Sequence, residues 1–222
     1  MRNYDVVIIG GGLGGLECGY ILSKQGYSVC ILEQNPQLGG CLQTFRRAGL
    51  TLDTGFHYVG ALDEGQFLHR LFGYFDLLGL PWHIMDEQGF AEVVIEDKPY
   101  LFAMGYERFA EKLAKEFPHQ RKELGDYTAM LRRVGDNIAG SFGGWSGQDS
   151  NMELFERPAS GFLRDTVSDP LLRDVLSGGS LTMELCEGTL PLYTFAQING
   201  SFIQSAWRLH GGGSLIADKL AG

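Results

Sequence analysis

The sequence predicts an α/β fold, and three observations predict it. A β-branched strand runs into a glycine-rich turn and a helix over 4–24, a second strand closes on an acid at 28–33, and longer amphipathic helices come later. Tyr4-Asp5-Val6-Val7-Ile8-Ile9 is a short apolar run of the kind buried on both faces of a parallel sheet. It ends at Gly10. The stretch Gly10-Gly11-Gly12-Leu13-Gly14-Gly15 satisfies GxGxxG and feeds residues 16–24, where Leu16, Tyr20 and Ile21 recur at helical spacing.

Each glycine of that fingerprint has a physical task. Gly10 permits a tight turn, Gly12 lets a pyrophosphate approach the backbone, and Gly15 lets helix and strand pack closely. Gly14 lies in the first turn, whose free N–H groups and dipole favour phosphate. Gly26 ends the helix, Ser28 to Leu32 forms the second strand, and Glu33 closes it about twenty residues after the fingerprint. A carboxylate there accepts hydrogen bonds from adenosine ribose hydroxyls and repels a 2′-phosphate, which favours FAD or NAD over NADP. Strand, glycines, helix, strand and acid in this order predict a Rossmann-type dinucleotide-binding unit.

Composition bounds the remaining choices. At 222 residues the chain forms one or two domains, and 44% hydrophobic residues with 14 Phe, 9 Tyr and 3 Trp exclude a disordered chain. A formal charge of −9 without a long basic run gives nucleic-acid binding no electrostatic support. Cys18, Cys30, Cys41 and Cys186 have no metal or disulfide spacing, so no metal is expected and reduced thiols in the cytoplasm fit best. No signal-peptide pattern precedes the first strand, and no apolar run approaches 18 residues.

The residues after Glu33 separate FAD from NAD. Gln34-Asn35-Pro36-Gln37-Leu38 leads to a second glycine pair, Gly39-Gly40, where a simple βαβ dehydrogenase would continue toward its next helix. The runs Leu32-Glu33-Gln34, Gly39-Gly40-Cys41, Thr44-Phe45, Gly49-Leu50 and Asp53-Thr54-Gly55-Phe56-His57-Tyr58 carry a resemblance. Over residues 4–60 the chain resembles the phytoene desaturase and carotenoid isomerase superfamily of FAD-dependent oxidoreductases, most closely its all-trans-retinol 13,14-reductase (retinol saturase) branch.

The resemblance implies an FAD-binding fold of the monoamine-oxidase and glutathione-reductase type, followed by part of an α+β substrate domain. It places Gly39 and Gly40 near the pyrophosphate, with Gln34 and Thr44 among the cofactor-binding residues. It also points the Asp-x-Gly-x-His strand at the flavin, which makes His57 a candidate for proton transfer. Many amine-oxidase relatives carry Arg where this chain has Cys41, so amine oxidation is disfavoured. Members of the family are longer, and this chain is similar to an N-terminal portion: an FAD-binding segment at 1–60, a substrate or cap segment at 61–205, and the start of a return at 206–222.

The middle of the chain has its own pattern. Residues 67–78 read as an apolar helical stretch, and Val93 to Glu96 with Tyr100 to Phe102 as a strand pair around Asp97-Lys98-Pro99. Residues 106–117 and 121–138 read as helices broken near Pro118, and 162–176 as a helix interrupted near Pro170. Charges within 107–133 are a solvated face. Gly140 to Ser150 is the linker candidate, and Trp207 to Leu220 a glycine-rich turn opening a helix. The aromatic and leucine density at 67–82 suits protein core, and also a tunnel for a lipophilic substrate or a membrane surface, while apolar surface left uncovered in an N-terminal portion would favour self-association.

These features imply an FAD-dependent oxidoreductase acting on a carbon–carbon double bond of a polyene or isoprenoid-like lipid, by saturation, desaturation or isomerisation. Two other readings stay open. An NAD-dependent dehydrogenase explains Gly10, Gly12, Gly15 and Glu33, and a catalytically silent FAD-binding fragment explains the length.

Overall fold

The computed structural model describes residues 3–140, 152–184, 186 and 188–222. In chain order the elements are β1 (Val6–Ile9), α1 (Leu13–Lys24), β2 (Val29–Leu32), a 3-10 turn at Gly40–Leu42, β3 (Thr44–Arg47), β4 (Leu50–Asp53), β5 (Val59–Gly60), α2 (Phe67–Tyr74), β6 (Trp82–Ile84), β7 (Ala91–Ile95) and β8 (Lys98–Phe102). After these come α3 (Tyr106–Glu116), α4 (Arg121–Gly140), α5 (Met152–Glu156), α6 (Ala159–Thr166), α7 (Pro170–Ser177), α8 (Leu192–Gln204), β9 (Ala206–Leu209) and α9 (Ser214–Ala221). Two compact units result: Met1–Val59, Leu68–His83 and Trp207–Gly222 form the first, and Gly60–Phe67 with Ile84–Ala206 the second. The linker candidate lies, beyond Gly140, outside the described residues.

In the first unit β1 and β2 run parallel in register, Val6 opposite Val29 and Ile9 opposite Leu32. Asp5 ties the strand starts together, its carboxylate accepting Ser28 N at 2.8 Å and Ser28 Oγ at 2.7 Å. Helix α1 covers one face through two glycines: a Cβ on Gly15 would stand 2.0 Å from Gly10 O, and one on Gly19 2.8 Å from Ile31 Cδ1. The other face is open. Val7 is 55% and Ile9 88% exposed, so β1 is not covered on both faces as expected, because α1 lies on one side only and β2 is its sole paired strand among the described residues.

Residues 68–83 also pack into the first unit rather than with the segment beyond them. Phe72, Phe75 and Leu77 are buried there; Phe75 meets the Tyr20 ring at 5.4 Å and Phe72 the Trp82 ring at 5.3 Å. This part of the aromatic stripe is core. The helix stops at Tyr74, short of the expected 78, where the chain turns through Asp76 at φ 58°.

The second unit is built on helices α3, α4 and α8. In α3 Tyr106, Phe109, Leu113 and Ala114 are buried, and in α4 Leu124, Tyr127, Leu131 and Val134, the stripe of a half-buried helix. Tyr127 lies about parallel to Phe109 and Phe162, with centroids 6.0 and 6.3 Å away. β7 and β8 form an antiparallel hairpin turning at Glu96-Asp97, both at positive φ, so Lys98 and Pro99 belong to the strand rather than to the turn. Pro118 opens a 3-10 turn between α3 and α4, and Asp169 caps α7 by accepting Leu171 N and Leu172 N. Helix α8, which is not among the elements expected from sequence, buries Leu192, Phe195, Ala196, Asn199, Gly200 and Ile203, a stripe at helical spacing.

Candidate functional site

The fingerprint folds as strand, turn and helix. Gly10 takes φ 105° and donates its N–H to Leu32 O at 2.8 Å, prolonging the β1–β2 ladder before the chain swings into α1. Gly12 is the extended N-cap of α1, a helix with no capping side chain and no acid in its first turn. No side chain of its own first turn caps its orphan N–H groups or offsets its positive dipole end. Cβ atoms built on Gly10, Gly12 and Gly14 meet nothing within 4 Å, whereas on Gly15 one would strike the backbone. The open positions leave free space over the backbone; the closed one packs helix on strand.

Glu33 stands at the end of β2, half-buried. Its Oε2 accepts Gly11 N at 2.8 Å, and its Oε1 accepts Asn35 N at 2.8 Å and Asn35 Nδ2 at 3.0 Å. Those hydrogen bonds, that of the Asn35 backbone foremost and then that of Gly11, hold the carboxyl below the usual glutamate range. Gln34 is exposed beside it.

The second glycine pair is pinned against the first. Gly39 N donates to Gly11 O at 2.7 Å, Gly12 and Gly39 form a parallel bridge, and a Cβ on Gly40 would lie 3.3 Å from Gly12 Cα. Both glycines have positive φ, 106° and 55°. The chain then enters the β3–β4 hairpin, where Thr44 pairs with Asp53. Ser214, the first residue of α9, accepts Thr44 N at 3.0 Å and Gln37 Nε2 at 3.0 Å, and shares a 2.8 Å hydroxyl contact with Thr44 Oγ1. Asp53 Oδ1 accepts Gly213 N at 2.8 Å. Three glycine-rich segments, 10–15, 39–40 and 211–213, therefore belong to one packed end of the first unit.

Of the residues singled out from sequence, Gly10, Gly12, Gly14, Gly15, Glu33, Gly39 and Gly40 gather at the start of α1, and Thr44 adjoins through Ser214. His57 does not join them by hydrogen bond among the described residues. It is exposed on the irregular segment after β4, which ends at Asp53, so the expected strand through His57 is absent. Cys41 is exposed and all four cysteines are free. No group of His, Cys, Asp or Glu among the described residues is arranged to hold a metal, and no described helix is long and apolar enough to cross a membrane. Gly11, Asn35 and Ser214 join the site without a motif to mark them; the triplet Gly10-Gly11-Gly12 is the one available signal, since GxGxxG leaves its middle position free.

Comparison with known proteins agrees with this geometry. Residues 8–75 match the model of the NAD(P)-binding Rossmann-like domain family. The chain is similar to the all-trans-retinol 13,14-reductase of Danio rerio, 29% identical over 238 residues that cover 97% of this chain and 39% of that protein. It is also similar to the chloroplastic prolycopene isomerase of Daucus carota, 25% identical over 124 residues covering 55% of this chain and 20% of that one. A putrescine oxidase triple mutant has the same fold with a TM-score of 0.64 at 19% identity, over 98% of this chain and 48% of its own. The chain thus spans less than half the length of each of these relatives. By sequence it is a relative of the all-trans-retinol 13,14-reductases and, with them, of the carotenoid desaturases and isomerases.

Proposed function

We propose that the first unit binds the adenosine-diphosphate half of FAD, and that the chain belongs to an FAD-dependent oxidoreductase acting on a carbon–carbon double bond of a lipophilic polyene or isoprenoid-like molecule. The observation that carries this reading is the contact of the two glycine pairs, Gly39 N on Gly11 O and Gly40 against Gly12. An NAD site needs only the fingerprint and Glu33; here a second side-chain-free strip of backbone borders the phosphate end. The residues fit the group: open space over Gly10, Gly12 and Gly14, a helix N-terminus with no capping side chain and no acid in its first turn, and a carboxylate tied to the same loop.

When bound, a flavin supplies hydride exchange at its N5 position. The chain's own residues bind and orient. The first-turn amides of α1 face the pyrophosphate, Glu33 accepts ribose hydroxyls, and Gly39-Gly40 admits close backbone approach. The second unit is proposed as the substrate-binding part, and His57 as a proton carrier on the resemblance alone. Whether the double bond is saturated, formed or isomerised depends on residues that these elements do not specify.

The test is spectroscopic. Protein incubated with FAD and desalted should retain a flavin absorption band, and reduced flavin should reoxidise on anaerobic addition of a polyene such as all-trans-retinol. Saturable NAD binding with no retained flavin would replace the FAD reading, while retained flavin indifferent to every polyene offered would leave a cofactor-binding protein without this activity.

A further inference from the structure

We infer that Asn35 is a positioning residue for the cofactor: with the Gly11 amide it clamps both oxygens of the Glu33 carboxylate in the pose that receives the ribose. This rests on the proposal that the first unit binds FAD. A glutamate at a strand end has three rotatable side-chain bonds, and binding that must first freeze them is weakened. Here they are already fixed. Each carboxylate oxygen offers about two acceptor sites. Oε1 accepts both Asn35 N and Asn35 Nδ2, whereas Oε2 accepts Gly11 N and is the oxygen that receives an incoming hydroxyl.

The clamp also explains the middle glycine of the triplet. A Cβ on Gly11 would stand 2.7 Å from Leu38 Cδ2, 3.2 Å from Glu33 Cβ and 3.2 Å from Glu33 Oε2, so Leu38 would have to shift and the acid would be pressed by a few tenths of an ångström. Because Gly11 O also accepts Gly39 N, one residue links the phosphate loop, the ribose acid and the second glycine pair. The groups that hold the Glu33 carboxyl below the usual glutamate range are the backbone amides of Asn35, Gly11 and Gln34 and the Asn35 side chain, none of them charged.

Two substitutions separate positioning from structure. Asn35→Ala removes the Nδ2 donor and keeps the backbone N–H; Asn35→Asp sets a second carboxylate beside the first. In the unliganded 222-residue chain the Glu33 carboxyl titration, followed by 13C NMR, should move upward in both variants and further in Asn35→Asp. The FAD dissociation constant, from flavin fluorescence, should rise about threefold in Asn35→Ala and about tenfold in Asn35→Asp. Neither change should add to the loss caused by Glu33→Ala, and the thermal midpoint should not move. If Glu33→Ala binds FAD as well as wild type, the ribose reading itself falls. If Glu33→Ala is weak while both Asn35 variants keep the wild-type affinity and titration, only the clamp falls. Equal losses from Asn35→Ala with and without Glu33 would mean direct cofactor contact and overturn the positioning role.

Discussion

Two carboxylates of the first unit end two strands, and each receives the amide of a glycine-rich loop. Glu33 sits just past β2 and takes Gly11 N at 2.8 Å; Asp53 ends β4 and takes Gly213 N at 2.8 Å. The likeness stops at what surrounds them. Glu33 lies against the loop that leads into α1, with Asn35 two positions away and Gly11 22 positions away as its partners. Asp53 is packed: a Cβ on Gly212 would come within 2.7 Å of its Oδ1, and its bond to Gly213 joins residues 160 positions apart. On the proposed reading the same chemical pairing serves a ligand at Glu33 and chain closure at Asp53, and the span of chain joined sets them apart, 22 positions for Glu33 and Gly11 against 160 for Asp53 and Gly213.

Substitutions put that contrast at risk, beginning with the most damaging. Gly15→Val should destabilise the first unit by at least about 3 kcal/mol, because a Cβ there stands 2.0 Å from Gly10 O and backbone must move; circular dichroism melts would show it, and a wild-type midpoint would refute the packing role. Gly12→Val should lower the melting midpoint far less than Gly15→Val, since its Cβ meets nothing within 4 Å and only an N-cap preference is lost, yet abolish retention of FAD on desalting. A Gly12→Val protein that still carries flavin would put the pyrophosphate elsewhere.

Asp53→Ala should cost about 1–2 kcal/mol and lower the melting temperature by about 3–6 °C, with FAD affinity per folded molecule retained. Glu33→Ala should do the reverse, weakening FAD about tenfold in equilibrium titration with no change in melting. If both variants lose stability alike, the distinction between ligand acid and closure acid is wrong. The smallest effect is with pH. Because the folded Glu33 carboxyl is held below its ordinary range, FAD affinity should stay flat through that range and decline only at lower pH, as the carboxylate protonates. A decline centred in the ordinary glutamate range would show that the Gly11 and Asn35 bonds do not hold it.

The local part of this architecture is legible from residue order. GxGxxG, Gly26 and Glu33 fix β1, α1 and β2 because turn, phosphate loop and strand end are set by neighbours a few residues away. α3 and α4 are equally plain, as Tyr106, Phe109 and Leu113 recur at the helical period. Helix α8 is not, since Asn199 and Gly200 interrupt the apolar positions Leu192, Phe195, Ala196 and Ile203 of its buried stripe. Nor do Phe72, Phe75 and Leu77 announce which unit they serve, because an apolar stripe states that it is to be covered but not by what.

Residue order alone is enough for the dinucleotide-binding unit, its acid and the second glycine pair, since each depends on backbone freedom or a side chain at a fixed short spacing. Folding of the whole chain was needed to dock Gly39 on Gly11, to close Ser214 and Gly213 on Thr44 and Asp53, and to bring residues 68–83 into the first unit. Those contacts join residues distant in sequence, and which partners meet across such separations depends on how the entire core packs.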